Sequence, residues 1–569
     1  MNFFQLLGIF ASWFSVANAR IALTAQPFQI SGGATNNIKL SWDFNIQPNS
    51  TGFTIKRKLD ASDYVVLGHA PGGSYDDYDT PSGSLTYQVT SDGSGEVSNE
   101  VNLSSSLTES QDFSTFDNTN DATFLVKSKI KQGNQYFSYE VQNEKGVKQI
   151  VEKTSQDGVA FSKERVLLTR EQICADSPDG FCKLEAVTFL QHPQTSEVVM
   201  WGHWENNRDY SLGRVAVAFG QPGGKWTFGG SFRPLGHDSR DMSVFVDDDG
   251  ASYLTSSTRT NSDMNIYALS GDWHNVSSLV TTVLQGQRRE APAMLRHDNF
   301  YYLFTSLASG WYPSAGQYIS AQNLTGPWSS GRYIGNIAGF GAQSGPVTKL
   351  GSTWVMRANR WARNWKTAEP SNRQIILPIS LSNGYASYHF YKTIRYLDDE
   401  KQGGVFGVQS GRIISTGKNS VASNISTISG AGISNPINDG VQNDPNNLYV
   451  PAKVPFTYEI DLGSTHTFSQ VDLTTKLVGG SETAYQFTIE ARATQDASYK
   501  TLVDLRKNTA PGFVTSSVVE TQGYQYVRLN VMAIVNVLTG KEEDWQKGVA
   551  EWTIYGAPNQ SQEKITSNM

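Results

Sequence analysis

Cysteine, charge and helix-forming runs are all scarce in this chain of 569 residues, and each scarcity excludes something. The only cysteines are Cys174 and Cys182, with no histidine at ligand spacing beside them, which argues against a zinc centre. Charged residues make up 17% and the net charge of −7 is spread without a basic block, so nothing draws in a phosphate backbone or an anionic membrane. Nucleic acid is excluded as a partner. Glu/Lys-rich helical runs are almost absent, which excludes a coiled coil, and 38% hydrophobic residues exclude a disordered chain. No apolar run beyond the amino terminus is long enough to span a bilayer.

What is abundant is aromatic and small. There are 13 Trp, 25 Tyr, 27 Phe and 51 Gly, a composition that favours β structure and sugar-stacking surfaces. A length prior of about 150 residues per domain gives about four domains, or fewer if some are large β folds. The amino-terminal run from Met1 stays apolar to Val16 and ends in Ala17-Asn18-Ala19, a small-x-small cleavage pattern. Residues 1–19 therefore read as a signal peptide of a secreted, extracellular protein. The basic start of such a leader is missing, so an uncleaved anchor is the alternative. In an oxidising compartment Cys174 and Cys182 are expected to form a structural disulfide around a short loop. Asn-x-Ser/Thr sequons at Asn49, Asn102, Asn275, Asn323, Asn424 and Asn559 would mark glycosylated surface loops.

Three textures follow one another. Residues 20–106 alternate as a small β-sandwich, with strands at Ile38–Trp42, Gly52–Arg57 and Leu85–Val89. The early Trp, the strand ending in Lys-Arg and the late Tyr-x-Val strand resemble a fibronectin type III module, with an Ig-like fold. Residues 107–120, rich in Ser, Thr, Asn and Asp, read as a linker. Residues 121–400 repeat a form: five hairpins turning near Gly133, Gln194, Asp249, Asp298 and Gly351, each followed by a second hairpin. The second hairpin of the fourth unit is expected to pair Tyr318-Ile319-Ser320 with Pro327-Trp328. Turns recurring roughly every 50–60 residues predict a five-bladed β-propeller. Residues 403–558 resemble a discoidin, or factor V/VIII type C, module with a jelly-roll β-sandwich fold, and 559–569 are a tail. The expected architecture is thus all-β, a propeller between two sandwiches.

Eight or nine residues before each hairpin turn, near the start of the innermost strands, stand Glu185, Asp241, Glu290 and Gln343; the first unit has Leu125 there. Strands of a propeller converge on its axis, so these polar side chains are expected to meet. Several carboxylates in one funnel raise at least one pKa, which supplies a proton donor near neutral pH. Paired carboxylates in a concave site point to glycoside hydrolysis. The blander reading of each acid alone is a turn or cap residue. Asp247-Asp248-Asp249-Gly250 reads as turn chemistry, with a calcium loop as the competitor.

Together with Trp201, Gly236-His237-Asp238-Ser239-Arg240-Asp241, Glu290-Ala291-Pro292, Ser309-Gly310-Trp311, Leu324–Ser329 and Asn359-Arg360-Trp361, these residues resemble glycoside hydrolase family 43, most closely its exo-β-1,3-galactanase subfamily. The resemblance implies an inverting hydrolase with Glu290 as general acid and Asp241 orienting it and tuning its pKa. The wider family places an Asp base in the first blade, where this chain has Phe124-Leu125-Val126-Lys127. The galactanase subfamily can use a Gln to position water, and Gln343 matches it. Glu185 and Tyr210 match residues that hold substrate hydroxyls, and Trp311 either stacks on a sugar or packs. Asp117 and Asp121 are either solvated linker acids or a conventional base. No cofactor is implied for catalysis, and structural calcium stays open.

The function implied is hydrolysis of arabinogalactan-type galactan by a monomer whose partner is a polysaccharide or glycan. Two alternatives stand beside it. One is an arabinofuranosidase, xylosidase or galactofuranosidase on the same fold; the other is a non-catalytic carbohydrate-binding or adhesion protein. The carboxy-terminal module is expected to act as a carbohydrate-binding tether and the amino-terminal one as a spacer.

Overall fold

The computed structural model describes residues 21–28, 37–44, 52–70, 72–78, 80–92, 94–105, 114–118, 129–158, 160–361, 373–397, 404–408, 411–423, 425–429, 436–477, 482–519 and 522–557. Residues 1–19, Asn49, Asn424, Asn559 and the tail, Asp121, and the 122–126 segment with Leu125 lie outside them. The chain is all-β. No helix among the described residues is long and apolar enough to cross a membrane.

The amino-terminal unit follows from period-2 alternation. In Ile21–Phe28, Ile21 and Leu23 are buried while Ala22 and Thr24 are exposed, because successive side chains of a strand point to opposite faces. A three-stranded sheet (Ile21–Phe28, Asn37–Phe44, Ser74–Asp77) and a four-stranded one (Val65–Ala70, Phe53–Leu59, Gly83–Ser91, Val101–Ser105) share one core. Trp42 sits in that core, edge-on to Phe53 at 5.4 Å. Arg57, at the end of its strand, reaches Asp77 at 2.6 Å, and the Tyr87 hydroxyl donates to the same carboxylate at 2.8 Å.

The central region is a series of antiparallel sheets. Four have four strands in sequence order, spanning Lys129–Thr169, Cys182–Phe232, Met242–Val283 and Arg289–Ile334, and a three-stranded sheet of Gln343–Leu350, Thr353–Arg360 and Arg373–Pro378 follows. Alternation fails here as a guide. Every residue of Val198–Asn206 is buried, since a strand inside a sheet packed on both faces has no solvent side. In the fourth sheet the outer strand is Arg332–Ile334, paired with Gly316–Ala321. Pro327-Trp328, expected in that place, lies in the connection, where the Trp328 indole donates to the Leu324 carbonyl at 3.0 Å. Proline cannot donate to a ladder, which is why the strand starts beyond it.

Two boundaries differ from the sequence reading. Ser114–Asp117, inside the expected linker, is a strand paired with Thr393–Leu397, and Gly404–Val408, assigned to the carboxy-terminal module, pairs with the other edge of Thr393–Leu397. Composition reports only local preference; the open edges of a distant strand decided both. Asp117 is ion-paired to Lys392 at 2.7 Å rather than solvated.

In the carboxy-terminal unit two five-stranded sheets enclose a single core. Neither flanking unit hangs free. Ile413 bridges Val66 of the first unit to Tyr555 of the last. At that joint His69 Nδ1 lies 2.6 Å from Asp92, while burial and neighbouring acids push Asp439 up to about 7. The Ser387 hydroxyl donates to the Ser74 carbonyl at 2.7 Å and the Asp76 N–H to Ser380 Oγ at 3.0 Å, seating the amino-terminal unit on the central region.

Candidate active site

The inner strands of the second, fourth and fifth sheets share one irregularity. Glu185 pairs with His203, Glu290 with Ser306 and Gln343 with Asn359, and each strand then bulges before regular pairing resumes at Thr188, Ala293 and Val347. Ala186 and Ala291, the residues after the two glutamates, both have φ of 49°, a left-handed backbone that costs an alanine about 1–2 kcal/mol. A bulge re-aims the side chain at its edge. The Glu-Ala dipeptide at 185–186 and 290–291 is a signal that sequence reading passed over. Asp241 stands just before its strand Met242–Val246, its carbonyl accepting from the Ser257 N–H at 2.9 Å.

Glu290, Asp241 and Gln343 converge. The Gln343 amide donates from Nε2 to Glu290 Oε1 at 2.9 Å and to Ser306 Oγ at 3.1 Å, and its Oε1 accepts from the Trp361 indole at 2.7 Å. Asn261 Nδ2 donates to Glu290 Oε2 at 3.2 Å, and Asp241 Oδ2 accepts the Ala291 N–H at 3.2 Å. Burial first, then the charge of Asp241, pushes the Glu290 carboxyl up to about 8, against the Ser309 N–H and the Arg289 and Arg240 guanidiniums, which favour its ionised form. At neutral pH Glu290 holds its proton, which is what a general acid requires.

Glu185 belongs to an adjoining group. Its Oε1 accepts the Tyr210 hydroxyl at 2.9 Å, and His203 Nδ1 lies 3.7 Å from its other oxygen. Arg240 ties the two groups together: it donates to the Tyr210 carbonyl at 3.0 Å while its charge acts on Glu290. Burial, then the Glu185 carboxylate, holds the Tyr210 phenol well above its ordinary value. Cys174 and Cys182 are joined, with Cα atoms 5.3 Å apart, anchoring the start of the strand that carries Glu185. Trp311 is 41% exposed, on the 308–315 loop whose Ser309 N–H reaches Glu290.

Three contacts were not anticipated: Asn261, Ser306 and Trp361. Asn261 ends a run of left-handed residues, Arg259, Thr260 and Asn261, at a turn that the Asp238 carboxylate holds through two backbone N–H groups. Asn tolerates that backbone, the one hint in the sequence. Asp247 is taken up by Arg296 at 2.9 Å and the Tyr301 hydroxyl at 2.5 Å, with Gly250 at φ of 86° closing the turn. Among the described residues no cluster of His, Cys, Asp and Glu is arranged to hold a metal ion. Asn102, Asn275 and Asn323 are exposed.

Residues 203–356 match the family described as Glycosyl hydrolases family 43, which supports a glycosidase. That segment includes Asp241, Glu290 and Gln343 and leaves Glu185 outside. The chain is similar to the solved structure of 1,3Gal43A, an exo-beta-1,3-galactanase from Clostridium thermocellum, with 23% identity over 71% of this chain and 95% of that one and a TM-score of 0.45. It is also similar to the exo-beta-1,3-galactanase Pc1,3Gal43A from Phanerochaete chrysosporium with galactose bound, with 22% identity over 75% and 95% of the two chains and a TM-score of 0.45. No curated protein matches the chain.

The cluster depends on the carboxy-terminal unit. Residues 335–342, which lead into Gln343, are clamped by it: Asn336 Nδ2 donates to Thr474 Oγ1 at 3.1 Å, the Ile337 N–H to the Gln442 carbonyl at 2.8 Å, and Phe340 meets Phe513 edge-on at 5.4 Å. Removing a buried ring costs about 3–5 kcal/mol. Phe513→Ala is expected to lower kcat roughly ten- to hundredfold with KM nearly unchanged, because the segment that positions Gln343 loses its support and shifts. Phe513→Leu restores most of it. Steady-state kinetics beside thermal melts separate this effect from global unfolding.

Proposed function

We propose that the chain is a secreted, monomeric glycoside hydrolase, an inverting exo-β-1,3-galactanase acting on arabinogalactan-type galactan. In this reading the five central sheets are the blades of a propeller, flanked by a fibronectin type III-like and a discoidin-like sandwich. The observation that carries it is the buried, protonated Glu290 between Asp241 and Gln343. The family 43 match supports the reaction class, and the Ser-Arg-Asp, Glu-Ala-Pro and Gln343 elements support the galactan specificity.

Glu290 gives its proton to the glycosidic oxygen as the bond to the anomeric carbon breaks. Water attacks that carbon from the opposite face, inverting it, and passes its proton to the nitrogen of Gln343 in its imidic tautomer, which releases its own O–H proton to solvent. Asp241 keeps Glu290 protonated until then. Tyr210 and Glu185 hold sugar hydroxyls, and Trp311 offers a ring face to the sugar beyond the scissile bond. Gln343 orients the water once the incoming sugar parts it from Glu290. Product analysis by NMR on a β-1,3-galactan digest tests the proposal. Free galactose appearing first as the α anomer is the expected result; a β anomer first, or arabinose or xylose released from other glycans instead, overturns it.

A second reading makes Glu185 the base. One observation favours it: Gln343 is bonded directly to Glu290, whereas acid and base in inverting glycosidases stand about 6.5–9.5 Å apart, and a neutral amide is a poor proton acceptor.

A further inference from the structure

One aromatic ring of the carboxy-terminal unit, Trp545, stands exposed at its surface. Trp545 is 55% exposed and Leu538 37%. The Trp545 indole donates to Glu543 Oε2 at 3.3 Å, and Asn536 Nδ2 donates to Glu543 at 3.1 Å and to Glu482 at 2.7 Å. Two acids and a ring face are therefore held together by one asparagine.

Two routes connect this edge to the mouth over Glu290. The first runs through Tyr312, on the loop that carries Trp311: burial, then the charge of Glu482, raises its phenol, and its carbonyl accepts the Ser309 hydroxyl at 3.0 Å. Ser309 is the residue whose N–H meets Glu290. The second runs through Lys476, which donates from Nζ to the Trp545 carbonyl at 3.4 Å. Two residues earlier, within the strand Phe468–Thr475, Thr474 clamps Asn336. Gly339 of that clamped segment lies so close to the Trp311 loop that an added Cβ would stand 2.8 Å from the Ser314 carbonyl. These contacts hold the edge that carries Trp545 on the side of the carboxy-terminal unit that faces the Trp311 loop.

We propose that Trp545, with Glu482 and Glu543, forms an accessory subsite that takes a pyranose unit of the same polysaccharide chain whose end lies at Glu290, farther along than Trp311. An exposed indole presents an apolar face to the C–H face of a sugar ring. The two carboxylates beside it accept sugar hydroxyls through charge-assisted hydrogen bonds. Neither group reaches the reacting atoms. The subsite therefore adds binding that is equal in ground and transition states.

This inference rests on the galactanase reading, and the test separates the two. Trp545→Ala is assayed on β-1,3-galactan and on 4-nitrophenyl β-D-galactopyranoside, next to wild type. The expected result is KM for galactan raised about tenfold with kcat kept, and unchanged kinetics on the aryl galactoside, which also reports an intact fold. Trp545→Phe retains most of the galactan affinity. Equal galactan KM for Trp545→Ala and an active wild type overturns the subsite alone. A wild type inactive on both substrates overturns the galactanase reading, and the subsite falls with it. A patch that instead holds two copies of the chain would be revealed by a change in elution volume for Trp545→Ala, and that outcome also overturns the subsite.

Discussion

Glu290→Gln is expected to lower kcat on unactivated β-galactosides by roughly 10²–10⁴-fold while leaving their binding within about twofold. The substitution preserves shape: Oε1 can still accept from Gln343, and the new NH2 can donate to Asn261 once that amide flips to present its Oδ1, which makes no hydrogen bond among the described residues of the wild type. What disappears is the proton. Aryl glycosides whose leaving groups need no protonation should be slowed far less, and that contrast separates a lost acid from a damaged site. The wild-type profile of kcat/KM should fall on the alkaline side with an apparent pKa near the value of about 8 that burial and Asp241 impose on Glu290; the variant should lose that limb. A variant with unchanged activity on unactivated substrates would remove Glu290 from the mechanism.

Asp241→Asn tests the origin of that pKa. The Asp241 charge opposes ionisation of Glu290, while Arg289, Arg240 and the Ser309 N–H favour it. Deleting the negative charge leaves the cations unopposed, so the Glu290 pKa falls and the acid is deprotonated at lower pH. The alkaline limb of kcat/KM should move down by about one pH unit, with a loss of roughly twofold at neutral pH, more above it, and almost none near pH 5. The direction distinguishes tuning from structure. A uniform loss at every pH would mean that Asp241 acts only through its bond to the Ala291 N–H.

The acid, its neighbour and Gln343 were legible in the sequence because they are set by strand register. Each stands a constant interval before a hairpin turn, and inner strands of successive sheets carry equal positions to one place. Glu185 was legible for the same reason and Tyr210 by resemblance. The bonds that Asn261, Trp361 and Ser309 make to Glu290 and Gln343 were not, although Trp361 and Ser309 stood among the residues that carry the resemblance. These residues reach the site from loops, and a loop's course depends on what it packs against rather than on a period.

Strand alternation in the amino-terminal unit, the closely spaced cysteines and the acids at matched register were legible in the sequence alone, because each is a local pattern. The tertiary structure decided the rest. Thr393–Leu397 draws in strands from what read as a linker and from the following module, since unpaired backbone at a sheet edge must find a partner wherever one lies. Contacts far apart in the chain, Asn336 with Thr474 and Phe340 with Phe513, pack the carboxy-terminal unit against the segment that leads into Gln343. The high pKa of Glu290 likewise exists only where burial and Asp241 come together in space.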